Sequence, residues 1–169
     1  MGGTDAAVAQ AIWDNHPTGI ESFGSTTVQV TDSQGNTQDV DFSRPTERRV
    51  YLELDYTYDA SKYPVDGDDQ VKAAVDSFTN GSLTVTTPSG DVIDGTLGVG
   101  RDVVITRLHT AVFTVSGIED ITAVRVGFSA SPTGTINLSI GEREVVSNGA
   151  GIGIDTADIV VASTPAVTT

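Results

Sequence analysis

Two histidines, a carboxylate cluster and two glycine runs are the residues of this chain whose types and spacing could do chemistry. His16 lies in a turn beside Pro17, and His109 lies on the flank of a helical stretch, four residues after Ile105. A zinc site would need both of them plus carboxylates brought in by the fold, because the chain has no cysteine. Surface or half-buried histidines are the simpler reading. Asp66, Asp68 and Asp69 gather around Gly67 and invite a calcium site. The D-x-[DN]-x-[DN]-G order of an EF-hand loop is missing, however, and a helical pattern begins directly afterwards. An N-cap at Asp66 or Asp68, with acidic residues complementing the helix dipole, explains the cluster more simply.

Gly95, Gly98 and Gly100 precede another helical pattern in the order G-x-x-G-x-G. Val103 stands where a phosphate loop would want a further glycine, and no G-K-[ST] follows. Gly149, Gly151 and Gly153 lead into a strand pattern, so both runs read as loop glycines. There is no G-x-S-x-G nucleophile motif. Among 23 carboxylates, nothing in the pattern singles out the pair that glycoside hydrolysis needs. Tyr51, Tyr56, Tyr58 and Tyr63 could line a glycan groove, although Tyr56 and Tyr58 share the apolar face of their strand, which points to core. The expectation is a chain that is not an enzyme and holds no cofactor or metal.

The bulk properties bound the partners. The 169 residues suit one domain, or one domain with a smaller attached unit. Hydrophobic residues at 38% and charged residues at 19% favour a packed core over disorder. A net charge of -14 repels phosphate backbones and anionic membranes. The nearest thing to a basic stripe, Arg44, Arg48 and Arg49, is interrupted by Glu47. Neither nucleic acid nor a membrane is expected as a partner. The first residues, MGGTDAAVAQ, lack the basic and apolar regions of a signal peptide, and no apolar run approaches membrane-spanning length, which predicts a soluble chain.

The elements that must position these residues follow from periodicity. Thr4 can cap a short helix to about Asp14, with Val8, Ala11 and Ile12 on one face. A hairpin follows over Thr26–Thr31 and Thr37–Phe42, and Pro45 closes this connector, residues 1–45. Val50, Leu52, Leu54, Tyr56 and Tyr58 alternate with polar neighbours in a strand whose sheet should be covered on one side only. Val71, Ala74, Val75 and Phe78 define a helix over Asp69–Thr79, ended by Asn80 and Gly81. A hairpin at about 83–98, with Pro88, Ser89 and Gly90 at its tip, precedes a second helix from Asp102 to about Val115. Strands are expected over Ile121–Phe128, Ile136–Ile140, Glu142–Val146 and Ile159–Ala162, and a frayed tail over 163–169. The order predicts an α+β domain over 46–162, with two helices on one face of a mostly antiparallel sheet, preceded by the helix–β-hairpin connector.

Several of these segments, in this order, carry a resemblance. Gly2-Gly3-Thr4-Asp5, the helix Val8–Trp13, the turn Pro17-Thr18-Gly19-Ile20, and the hairpin closing on Phe42-Ser43-Arg44-Pro45 form its first half. Tyr63-Pro64, Val71–Val75, Gly100–Val104, Arg107-Leu108 and Val115–Ile118 continue it, and Arg143-Glu144 falls in the expected final strands. Together they resemble the C-terminal portion of the baseplate J-like family of contractile-tail phage wedge proteins. Family members are about twice this length, and the hairpin at 83–98 looks inserted between helices that are usually joined more directly.

The resemblance implies a structural protein of the virion, located in the tail baseplate. Such a wedge protein dimerises and packs around the central hub, beside other baseplate proteins such as hub and sheath-initiator components. From loop position, the expected partner contacts are Gln34 and Asn36 on the connector hairpin and Ser89 and Asp91 on the inserted one. The rival expectation is a carbohydrate-binding tail-tip or fibre module using the tyrosines.

Overall fold

The computed structural model describes residues 3–17 and 19–166, and the chain divides after Pro45 into two compact units. The fold is α+β, and three of the five strand pairings among the described residues are antiparallel.

In the first unit, α1 (Asp5–Asn15) starts where Thr4 Oγ1 accepts a 3.3 Å hydrogen bond from Ala7 N. This satisfies one of the donors that a helix start leaves open. Strands β1 (Thr26–Thr31) and β2 (Thr37–Phe42) pair antiparallel from Thr26↔Phe42 to Thr31↔Thr37. The bounds are those the alternation predicts. Asp32 holds the turn, its Oδ1 accepting from Gln34 N and Asn36 N, each at 2.9 Å. An Asp32→Ala variant should therefore loosen the hairpin end. Hydrogen exchange should show faster amides at Gln34 and Asn36 while those of Val30 and Val40 stay protected. The core is small: Ala9, Val30, Val40 and Phe42, with Val8, Ile12, Trp13 and Val28 packed against it.

The second unit is built around β4 (Tyr51–Tyr58). It pairs antiparallel with β7 (Ile118–Gly127) and parallel with β9 (Ile159–Pro165). Leu52, Leu54 and Tyr56 are buried against Val71, Val75 and Phe78 of α2 (Gly67–Thr79) and against Leu108, Ala111 and Val112 of α3 (Ile105–Val112). The alternate residues Glu53 and Asp55 stay on the other face, where Arg125 from β7 reaches them at 3.5 and 2.8 Å. A period of two on β4 thus sets one apolar and one charged side, as expected of a sheet covered by helices on one face. Short strands complete the unit. β3 (Thr46–Arg48) pairs parallel with β8 (Glu144–Val146), and β5 (Val85–Thr86) pairs with β6 (Val92–Ile93) in the hairpin between the helices.

Three expectations are corrected. The helix expected from Asp102 starts only at Ile105, because Asp102 is occupied elsewhere: its carboxylate accepts from Ile140 N at 2.8 Å and Ser139 Oγ at 3.2 Å. The α3 start is capped from outside, by Asn137 Oδ1 accepting from Ile105 N at 3.0 Å. Ile136–Ile140 forms no strand, only a bridge between Val103 and Leu138, because Asn137 and Ser139 turn to these capping duties. The tail expected to fray from residue 163 instead continues β9, Ser163, Thr164 and Pro165 lying beside Tyr56, Thr57 and Tyr58. Residues 167–169 of that expectation lie outside the described residues.

Candidate functional site

The most developed polar arrangement in the second unit joins three elements. Tyr56 ends the buried face of β4, Tyr63 stands in the following loop, and Asp68 lies in the first turn of α2. Both phenols donate to Asp68 Oδ1 at 2.7 Å, and the two phenol oxygens are 2.7 Å apart. Gly67 lets Tyr63 lie this close, since a Cβ there would fall 2.2 Å from its ring. Burial pushes both phenol pKa values well above their ordinary range. Burial also opposes ionisation of Asp68, but the hydrogen bonds from Tyr63 and Tyr56 outweigh it and hold the carboxyl below the usual range. Asp68 is therefore a fixed anion that orders two tyrosines, and its first role is in packing. Asp66 occupies the helix N-cap position, yet its carboxylate accepts from Gln70 Nε2 at 2.9 Å and caps no backbone donor.

Beside this cluster opens a cleft of ≈ 560 Å³, lined among others by Tyr58, Tyr63, Val65, Asp69, Lys72 and Ser163. Tyr58 stacks on Tyr63 with centroids 4.2 Å apart. An aromatic wall flanked by carboxylates and an ammonium can hold a polar ring by stacking and hydrogen bonding.

Three further carboxylates share the depressed pKa of Asp68, among them Asp32, held down first by the hydrogen bond from Asn36 N. Asp59 is held at about 2, first by its hydrogen bond from Lys62 and then by Ser61. Asp94 is also held at about 2, first by Arg101 and then by Thr96. A carboxyl whose folded pKa lies below its unfolded value stabilises the fold above that unfolded value and loses the contribution on protonation. Stability should hold above the ordinary aspartate value of 3.8 and fall as the pH drops from there toward about 2. Denaturant melts across that window check this, and an Asp94→Asn variant should show a shallower acid slope.

The four residues expected to make contacts all lie exposed at the hairpin turns. Gln34 and Asn36 flank Gly35, whose φ of +86° the turn requires; Asp32 Oδ2 also takes Asn36 Nδ2 and Gln38 Nε2, each at 3.3 Å. At the other tip, Ser89 Oγ donates to Asp91 Oδ2 at 2.7 Å, and Asp91 N donates to Thr87 Oγ1 at 3.0 Å. The two pairs belong to different units. Each presents polar groups on a turn braced by its own hydrogen bonds.

His16 and His109 also belong to different units. His16 stacks on Trp13, while His109 Nε2 is buried without a hydrogen-bond partner among the described residues. Of the glycine runs, Gly95 serves packing, because a Cβ there would lie 2.1 Å from the Phe78 ring. What periodicity did not reveal is the tyrosine–aspartate cluster and two apolar residues on the surface of the first unit, Ile20 (58% exposed) and Phe23 (94%). One signal for the cluster was present, since a tyrosine on the apolar face of a strand must find a partner for its hydroxyl.

No protein-family model matches the chain, and no curated protein matches it.

Proposed function

We propose that this chain is a structural component of a phage tail baseplate, the C-terminal portion of a wedge protein. It assembles around the central hub through contacts with copies of itself and with neighbours such as hub and sheath-initiator components. The ordered segments that resemble the baseplate J-like family suggest the machine, and no matching family model adds to them. The observation that carries an assembly role is the first unit. Among its described residues four apolar side chains are buried in the core, while Ile20 and Phe23 face outward. So small a core supplies little stability of its own, and an exposed aromatic on such a unit marks a surface that a partner covers. The braced tips at Gln34, Asn36, Ser89 and Asp91 add rigid polar contacts whose ordering entropy is already met in the free chain. The acidic surface meets basic or polar partners.

A cryo-EM map of the intact particle, with native mass spectrometry of the purified chain, tests this. The expected result is density for the chain in the baseplate ring and a dimer or larger species in solution. A strictly monomeric chain absent from the tail would end the reading. The cleft beside Tyr58 and Tyr63 favours a second one, a carbohydrate-binding tail-tip module. A glycan array would support it only if binding is lost in Tyr58→Ala.

A further inference from the structure

The first unit contains a second cleft, of ≈ 430 Å³, between α1 and β2. Ile12, Trp13 and Ile20 give it an apolar side, and Glu21, Asp39 and Asp41 an acidic one. Its wall is fixed. Ser22 Oγ accepts a 2.7 Å hydrogen bond from Asp41 N, which ties the loop after α1 to β2. His16 Nε2 donates to the Ile20 carbonyl, and the His16 ring stacks on Trp13. Asp41 is engaged by Thr27 Oγ1 at 2.6 Å. Glu21 and Asp39 are exposed, and their carboxylates have no hydrogen-bond or ion-pair partner among the described residues.

We infer that this cleft receives an arginine side chain on a segment of a different protein, its guanidinium against Trp13 and held by Glu21 and Asp39. The chemistry fits arginine best. A planar guanidinium stacks on an indole, forks its donors onto carboxylates, and gives up hydration more readily than an ammonium. Charge argues against a second copy as the occupant. Its first unit holds six carboxylates and one arginine, Arg44, which already meets Asp5 Oδ1 at 2.7 Å and Gly3 O at 2.8 Å, and the whole chain carries a net charge of -14. Phe23, on the loop that forms the cleft wall, supplies an apolar contact for residues flanking the arginine.

The inference rests on the assembly reading for the partner being a protein, and the two fail separately, since the particle map reports location and the following titration reports recognition. Trp13 is the only tryptophan in the chain, so its fluorescence and its indole N–H resonance read the cleft alone. The full chain is titrated with three synthetic peptides, Gly-Leu-X-Leu-Gly, in which X is Arg, Lys or Glu. The expected result is a Trp13 response to the Arg peptide at a Kd about tenfold below that for the Glu peptide. The Lys peptide should fall between them. Glu21→Gln with Asp39→Asn should weaken the Arg peptide about fivefold or more, while Asp120→Asn with Glu142→Gln, removing as much charge from the second unit, should leave it unchanged. Equal weakening by both pairs would reduce the effect to net charge and overturn the site. Equal affinity for Arg and Lys peptides would overturn the guanidinium assignment. A Trp13 shift produced by raising the protein concentration alone would give the cleft to a second copy instead.

Discussion

Replacing Phe78 with alanine is expected to destabilise the second unit by about 4 kcal/mol, the upper part of the range for buried aromatic truncations. Phe78 is fully buried at the last turn of α2. Its ring lies against Gly95, at a distance that leaves no room for a Cβ on that glycine. The surroundings resist collapse into the space. Leu83 N donates to Ser77 O at 2.8 Å and Leu97 N to Thr79 O at 2.9 Å, so both legs of the hairpin are tied to the end of α2. Ile154 N donates to Thr79 Oγ1 at 3.1 Å. With the walls held, the cavity stays open and the contacts are lost outright. Chemical denaturation of Phe78→Ala beside Phe78→Leu checks this, the leucine recovering more than half of the loss. A cost below about 1 kcal/mol would mean that the hairpin moves in to fill the gap.

That result bears on the proposed assembly role as well as on stability. The hairpin that looks inserted relative to the baseplate J-like pattern is docked through Leu83, Val85, Ile93 and Leu97, all packed on the core. Its tip, with Ser89 and Asp91, is carried by two-residue strands that hold no long ladder. The position of the tip therefore depends on Phe78 more than on strand pairing. A Phe78→Ala chain that still folds should present a mislocated tip, which hydrogen exchange at Asp91 would register.

How much was legible in the sequence depended on whether the cause was local. The connector hairpin was readable to the residue, because alternation and an Asp-x-x-Gly-Asn turn are written in adjacent positions. The buried face of β4 and the stripe of α2 were readable for the same reason. Errors arose wherever a distant residue decided the outcome. The start of α3 is set by Asn137, more than thirty positions away, so the apolar stripe alone extended the helix too far. Asp102 looked like a first-turn residue but braces Ile140 instead. Ser163 to Pro165 carry no long apolar run, yet they gain a place in the sheet because β4 offers its whole length to a parallel neighbour. Of the candidate sites, the exposed tips were legible from turn residues. The tyrosine–aspartate cluster was not, since only the fold brings β4, the following loop and α2 to one point.

That cluster carries the second large prediction. Asp68→Ala should cost about 2 kcal/mol at neutral pH, because it removes the acceptor shared by two phenols while the Tyr56 ring stays buried. Tyr56→Phe alone should cost less, about 1 kcal/mol, since it removes a donor and its acceptor remains served by Tyr63. The informative variant combines Asp68→Ala with Tyr56→Phe and Tyr63→Phe. Leaving a polar group buried without a partner is worse than removing all of them. The triple variant should therefore be no less stable than Asp68→Ala alone, a non-additivity that thermodynamic cycles measure directly. The same series separates structure from recognition. Tyr58 stacks on Tyr63, so loss of the Asp68 anchor frees the aromatic wall of the cleft. If the cleft binds a sugar, Asp68→Ala should weaken binding even though Asp68 is committed to the phenols. If the cluster is packing alone, the series changes stability and leaves sugar binding as it was. Strict additivity across the series would show that the three groups do not act as one network.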